Sequence, residues 1–169
     1  MNRRRRLPSL AILRAASSGE SGERSYWQIR QDALGIDSHG ETLEPDEIVF
    51  YERLGKIYGE PLADIVDIIP RDKMMKPTND FLWLIRDGVP VEIKSPTVSD
   101  YGHAERRIWN ATIKAAEQGI IKDVFIVNYG DLPLSADAIE LLASYNENHA
   151  TGKIRELWVL VGERLTKLI

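Results

Sequence analysis

The sequence predicts an α/β domain with a mixed central sheet flanked by helices. Three observations point to this class: an amphipathic helix pattern over residues 45–58, two apolar strand patterns over residues 80–94, and alternating helix and strand patterns after residue 95. Such alternation is typical of sheets with parallel strand pairs, whereas the short connection between the two apolar strands indicates an antiparallel hairpin. The sheet is therefore expected to contain both kinds of pairing.

Residues 1–40 are assigned to a flexible, arginine-rich extension and linker, and residues 41–169 to the folded domain. Arg3–Arg6 precede an apolar stretch that resembles a signal peptide until Arg14 interrupts it. Residues 15–25 are rich in Ser and Gly and lack periodicity, as linkers do. Residues 26–40 leave two options open: Tyr26, Trp27 and Ile29 can dock on the domain, and Leu34-Gly35 can end a short helix.

The first helix of the folded domain is predicted from residue 45 to residue 58. Pro45 suits a first helical turn, and the helix dipole favours Asp46 and Glu47 at this end. A short strand is expected over residues 65–69, followed by a basic connector over residues 71–76 that is either the wall of a phosphate groove or a solvated loop. The apolar stripe of the helix comprises Ile48, Tyr51, Leu54 and Ile57.

The hairpin over residues 80–94 is expected to turn at Arg86-Asp87-Gly88, with Gly88 in the left-handed conformation. In that register Leu82 faces Glu92 and Asp80 faces Lys94, so the three ionisable residues share one face of the sheet. The opposite face is wholly apolar and comprises Phe81, Trp83, Ile85, Val89, Val91 and Ile93.

After the hairpin, residues 95–102 contain Pro and Gly and are predicted to form a loop beside the ionisable residues. A helix is expected over residues 103–118, a buried strand over 123–128, a helix from Ser135 to Asn146, and a closing strand over 154–161. The side chains expected to face inward from the helix after Ser135 are Ile139 and Leu142.

The composition fits one globular domain, because 169 residues with 43% apolar content are enough for a hydrophobic core. The absence of cysteine excludes disulfides and thiolate metal sites. The net charge of −4 argues against a broadly basic nucleic-acid binder. Because residues 1–40 carry seven arginines against four acids, the remaining chain has a charge of −7. A divalent cation can screen an acidic active site, so this balance is compatible with a nuclease.

Asp80, Glu92 and Lys94 interrupt the apolar hairpin, where ionisable residues reduce stability. Two carboxylates and an amine are what metal-dependent phosphodiester cleavage requires. Oxygen ligands favour Mg²⁺ or Mn²⁺ over zinc. The competing interpretation is an ordinary half-buried hairpin with a solvated Glu–Lys pair. No zinc-site spacing relates the three histidines, which are His39, His103 and His149.

Asn79-Asp80, followed after eleven residues by Glu92-Ile93-Lys94, resembles the signature of the PD-(D/E)XK nuclease superfamily, with Asn79 where that family often has proline. The runs 92–97 and 113–118 further resemble the C-terminal tRNase domain of contact-dependent growth inhibition toxins. The resemblance covers residues 44–169 and implies a restriction-endonuclease-like core. It also implies that Asp80, Glu92 and the carbonyl of Ile93 bind Mg²⁺ or Mn²⁺, with Lys94 near the attacking water.

The resemblance suggests further site residues. Glu47, with Glu52 as the alternative, corresponds to a carboxylate that many members add to the metal site, although an acid in a first helical turn is often only a dipole partner. Gln118 corresponds to a polar residue at the site of the similar toxins, although an exposed glutamine at a helix end is common. The candidate substrate-binding residues are Ser95, Thr97, His103, Arg106 and Lys76, with Arg107 as a further backbone contact.

Three functions remain open from the sequence. The first is a tRNA-cleaving toxin domain that acts in the cytoplasm of a target cell and is neutralised by a cognate immunity protein. The second is a DNA endonuclease of restriction, repair or phage type, and the third is a catalytically inactive nuclease-like binding module. Covalent hydrolase chemistry is disfavoured because the chain has no Gly-x-Ser-x-Gly motif. No apolar run approaches the length that spans a membrane.

Overall fold

The computed structural model describes residues 20–169 and shows a six-stranded mixed sheet between two layers of helices. The strands are β1 (Val66–Ile68), β2 (Phe81–Trp83), β3 (Val89–Lys94), β4 (Val124–Gly130), β5 (Glu156–Val161) and β6 (Arg164–Lys167). The helices are α1 (Glu20–Ala33), α2 (Pro45–Tyr58), α3 (Leu62–Ile65), α4 (Tyr101–Glu117) and α5 (Ala136–Ala143), with a 3₁₀ turn at Leu84–Arg86. The predicted α/β class with a mixed sheet is confirmed.

The strands pair in chain order across the sheet. The β1–β2, β2–β3 and β5–β6 pairs are antiparallel, and the β3–β4 and β4–β5 pairs are parallel. Helix α4 links the first parallel pair and α5 links the second. Because such crossovers are right-handed, both helices lie on the same face, where Ile108 and Leu142 share one hydrophobic cluster.

Helix α2 covers the opposite face of the sheet. Its Ile48, Phe50 and Leu54 pack in one cluster with Trp83 and Val91. The central strand β4 is buried on both sides, as expected of a strand with parallel neighbours. Val124 and Ile126 of this strand face α2, whereas Phe125 and Val127 face α4 and α5.

The helix boundaries follow capping chemistry. Helix α2 begins with the reciprocal Glu44–Glu47 capping box and ends at Gly59, whose φ of 65° is left-handed. Ser135 caps α5 as predicted, by accepting a hydrogen bond from the backbone N–H of Ala138 at 3.1 Å. The prediction that Ile139 faces inward is wrong: Ile139 is exposed, because Ala138 and Leu142 form the buried stripe of this helix.

The predicted hairpin register is also wrong, by two residues. Leu82 faces Pro90 and Trp83 faces Val89, since the 3₁₀ turn lengthens the connection and leaves Ile85 exposed. Gly88 is left-handed as predicted, with φ 69°. A shift of two residues keeps every side chain on its original face of the sheet. The apolar set therefore still packs against α2, with Ile85 excepted.

The N-terminal boundary needs correction within the described residues. Residues 20–33, assigned from sequence to the extension, form helix α1, and Trp27 packs against the α2 cluster. The Gln31 side chain donates to the carbonyl of Glu41 and accepts from the N–H of Leu43, both at 2.8 Å. The arginine cluster at residues 3–6 lies outside the described residues. None of the helices within residues 20–169 is long and apolar enough to cross a bilayer.

Candidate active site

Strand β3 supplies three of the predicted site residues, Glu92, Ile93 and Lys94, of which the first and last have ionisable side chains. Its parallel register pairs Glu92 with Phe125 and Lys94 with Val127. Since directly paired residues of neighbouring strands point to the same side, both ionisable side chains lie on the face covered by α4. The predicted sharing of one face therefore holds for Glu92 and Lys94.

Asp80 lies immediately before β2 and is tied to β3 by both its backbone and its side chain. Its N–H donates to the carbonyl of Val91 at 2.8 Å. Its carboxylate Oδ2 accepts a hydrogen bond from the N–H of Ile93 at 2.6 Å. The carboxylate therefore lies against the backbone between Glu92 and Lys94, and the structure brings the three motif residues together.

The carboxylate of Glu92 is buried and is held by two lysines. The Nζ of Lys94 donates to Oε1 at 2.5 Å, and the Nζ of Lys122 donates to Oε2 at 2.6 Å. Sequence reasoning missed Lys122, which precedes β4 and is itself buried. Its only signal is a lysine placed directly before a strongly apolar strand, and burial at such a position depends on the fold.

The electrostatics of the site are unfavourable for a second negative charge. Burial and the neighbouring charge of Glu92 raise the pKa of Asp80 to about 7, although the Ile93 N–H and the two lysines act in the opposite direction. Two carboxylates that share a buried space repel each other when both are ionised. Strongly shifted groups of this kind cluster at functional sites.

The donor set fits a hard divalent cation of the Mg²⁺ type. Two carboxylates and the adjacent peptide of Ile93 supply oxygen atoms, and a cation would offset the burial and the repulsion by Glu92 that raise the pKa of Asp80. Within residues 20–169, however, no three His, Asp or Glu side chains gather into a metal-binding group. The residues therefore fit an ion held by Asp80 and Glu92, with substrate or water completing its coordination.

A cleft of about 340 Å³ opens beside Glu92 on the α4 side of the sheet. Four of its eight lining residues are cationic and one is acidic, although the chain as a whole is acidic. Helix α4 supplies the outer wall and β3 the floor. The lining residues are Pro77, Glu92, Lys94, Arg107, Asn110, Ala111, Lys114 and Lys122.

The two acids of α2 that were candidates for a third carboxylate have other partners. Glu47 accepts from the N–H of Glu44 at 2.7 Å and lies 3.7 Å from Arg71. Burial is the main cause of its raised pKa. Glu52 pairs with Arg30 of α1. Tyr51 of the same helix is buried, and its pKa is raised by burial and by the charges of Asp80 and Glu47.

The remaining predicted residues are spread around the cleft. Gln118 is exposed at the end of α4 and does not line it. Ser95 accepts from the Asn128 amide through Oγ at 3.3 Å and from Arg107 through its carbonyl at 2.8 Å. Arg107 lines the cleft. Four candidates lie elsewhere: Thr97, Arg106 and Lys76 are exposed, and His103 is half-buried in the first turn of α4.

Comparison of the chain with protein-family profiles, curated proteins and solved structures finds no match. A functional assignment therefore depends on the motif, the geometry of Asp80, Glu92, Lys94 and Lys122, and the chemistry of the cleft.

Proposed function

We propose that this chain is a metal-dependent endonuclease that hydrolyses phosphodiester bonds of nucleic acid, with tRNA as the favoured substrate. The observation that carries the proposal is the meeting of Asp80, Glu92 and Lys94 beside a cation-lined cleft. The same three residues form the motif that resembles the PD-(D/E)XK signature. An α/β sheet with an antiparallel hairpin leading into a crossover helix is compatible with a restriction-endonuclease-like core.

The roles follow from the contacts. A divalent ion held by the two carboxylates would supply an activated water and neutralise charge on the phosphoryl group. Asp80 is positioned by the N–H of Ile93, and Glu92 by Lys94. The ammonium of Lys94, fixed 2.5 Å from Glu92, would orient the attacking water or stabilise the charge that develops on the phosphate.

Charge supports RNA over nonspecific binding to duplex DNA. The acidic balance of residues 41–169 disfavours a long contact with a duplex backbone, whereas the cleft supplies positive charge locally through Arg107 and Lys114. Among RNA substrates, tRNA is favoured because of the resemblance to tRNase toxin domains. A toxin of this kind would act in the cytoplasm of its target cell and would have an immunity protein that covers the cleft.

The test is incubation of the purified chain with total tRNA and with plasmid DNA, in Mg²⁺ or Mn²⁺ and in EDTA. We expect cleavage of tRNA that requires the metal and is lost in Asp80→Asn. The matched control is Asp137→Asn, an exposed aspartate in the first turn of α5, which should cleave like the wild type.

The outcomes separate the three functions. Metal-dependent cutting of plasmid DNA alone would replace tRNA by DNA and support a restriction or repair role. If a folded wild-type chain binds nucleic acid but cuts neither substrate in either metal, the endonuclease proposal fails and a binding module is favoured. Co-purification of a small protein that blocks cleavage would support the pairing of toxin and immunity protein.

A further inference from the structure

Lys122 lies outside the sequence motif, yet it makes the same kind of contact as the motif lysine. Its Nζ is 2.6 Å from Glu92 Oε2, while Lys94 occupies Oε1 at 2.5 Å. The Lys122 side chain is 9% exposed, which makes it more buried than Lys94 at 17%. Both oxygens of the carboxylate proposed as a metal ligand therefore have an ammonium group beside them.

The backbone around Lys122 is fixed on both sides. The carbonyl of Ile121 accepts from the Asn79 amide at 3.1 Å, and the carbonyl of Asp123 accepts from the N–H of Arg155 at 2.8 Å. Asn79 immediately precedes Asp80, so the segment that carries the first carboxylate also anchors the loop that carries Lys122. The ammonium is thus delivered to Glu92 by a preorganised loop and not by a flexible tail.

A stabilising role alone explains this arrangement poorly. Taking a carboxylate and two ammonium groups out of water costs more than packing apolar side chains in their place. Lys122 also lines the cleft together with Arg107 and Lys114. A cation in this position would act both on a divalent ion held by Glu92 and on a substrate phosphate in the cleft.

We propose that Lys122 is a positioning residue of the active site that competes with the divalent ion for Glu92. This inference rests on the proposed nuclease function. Without the ion, Lys122 balances the charge of Glu92. With the ion bound, Lys122 is displaced from the carboxylate and its positive charge is available to a phosphate in the cleft. Lys122 therefore weakens metal binding while it favours the charged transition state.

The first test is calorimetric titration of Mn²⁺ and Mg²⁺ into substrate-free protein. We expect Lys122→Met to bind the ion about tenfold more tightly than the wild type, because one positive charge beside the metal site is removed. Lys122→Arg keeps the charge and should stay close to the wild type. Lys153→Met, which removes an exposed lysine, is the matched control. Unchanged or weaker metal binding by folded Lys122→Met would overturn the proposal.

The second measurement is cleavage at saturating metal, where we expect kcat of Lys122→Met to fall by about 10- to 100-fold. Tighter metal binding together with a lower kcat distinguishes this role from a structural one, because damage to the fold would lower both the metal affinity and kcat. If the wild type proves inert on RNA and DNA, the nuclease proposal fails, while the calorimetric comparison still decides the competition at Glu92.

A measurement on the wild type covers the case in which Lys122→Met does not fold. The ammonium signal of Lys122 in a ¹⁵N-labelled chain should shift as Mg²⁺ is added, whereas that of the exposed Lys153 should not. An unmoved Lys122 signal at saturating metal would mean that the ion does not displace this lysine, and the proposal would be rejected.

Discussion

Two buried acidic clusters on one sheet have opposite electrostatics. At the end of β3, burial and the charge of Glu92 raise the pKa of Asp80 to about 7. At the start of β5, hydrogen bonding to Arg86 lowers the pKa of Glu156 to about 2. The first cluster brings like charges together, whereas the second surrounds one carboxylate with donors.

The Glu156 cluster is built for stability. Glu156 pairs with both terminal nitrogens of Arg86, accepts from the Trp158 indole at 2.9 Å, and lies 3.8 Å from Lys167. The guanidinium carbon of Arg86 lies 5.2 and 5.1 Å from the ring centroids of Trp83 and Trp158, and the two rings contact each other edge to face. A planar cation beside two aromatic rings contributes beyond its hydrogen bonds.

The Asp80 cluster lowers the stability of the fold, and under the proposed function this cost accompanies its reactivity. Its two carboxylates repel each other, and its two lysines are removed from water. A fold selected for stability alone would place apolar side chains here, as it does on the other face of the same hairpin. The contrast supports the proposal that the active site lies on the α4 side of β3.

The largest expected effect is the loss of activity in Asp80→Asn. The amide keeps an oxygen that accepts from the N–H of Ile93, but it lacks the negative charge that attracts a divalent ion. The rate of cleavage should therefore fall by about 100- to 1,000-fold. The readout is single-turnover cleavage of tRNA at saturating metal. If Asp80→Asn keeps more than half of the wild-type cleavage rate, Asp80 has no role in catalysis.

The same variant should gain stability, in a pH-dependent way. Because the pKa of Asp80 rises from 3.8 unfolded to about 7 folded, its ionisation destabilises the wild type progressively between pH 4 and pH 7. Metal-free Asp80→Asn should therefore exceed the wild type at pH 8 by a few kcal/mol in the free energy of unfolding. Urea titrations at pH 4 and pH 8 measure the difference. A gap of equal size at both pH values would contradict it.

Glu156→Gln should have the opposite effect. Removing the carboxylate leaves Arg86 without its ionic partner, so the free energy of unfolding at pH 7 should fall by about 2 to 4 kcal/mol. Since the folded pKa of Glu156 is depressed, the wild type has this stability above pH 4.5 and loses it as the pH falls towards 2. The matched control is Glu163→Gln, whose carboxylate is exposed. If Glu156→Gln lowers the free energy of unfolding no more than Glu163→Gln does, the Glu156 cluster contributes no more to stability than an exposed ion pair.

Local sequence patterns predict the helix that covers the sheet and the face on which the site residues lie. The helix over residues 45–58 was located correctly because Pro45 and its acids mark a start and the apolar stripe marks a face. Glu92 and Lys94 are predicted to share a face because residues two apart on one strand point to the same side, whatever the hairpin register.

Other parts depend on distant contacts that a sequence pattern does not record. The 3₁₀ turn is held by Gly88 donating to the carbonyl of Trp83 at 3.0 Å, which changes the length of the connection but leaves the alternation unaltered. Lys122 becomes a site residue only because β4 pairs beside β3. The partner of Arg86 is on β5, and its pairing with Glu156 could not be read from either strand alone.

The smallest expected effect concerns Glu47, which tests how far the acidic cluster extends. Glutamine preserves the capping hydrogen bond to Glu44, so Glu47→Gln removes charge while the start of α2 is kept. Because Glu47 is bound to this cap, we expect cleavage to fall by less than about tenfold. Asp46→Asn, an exposed acid in the same turn, is the control. If Glu47→Gln cleaves a hundredfold more slowly and Asp46→Asn does not, Glu47 is a third carboxylate of the metal-bound site. The cluster of mutually repelling carboxylates would then extend past Tyr51 to Glu47.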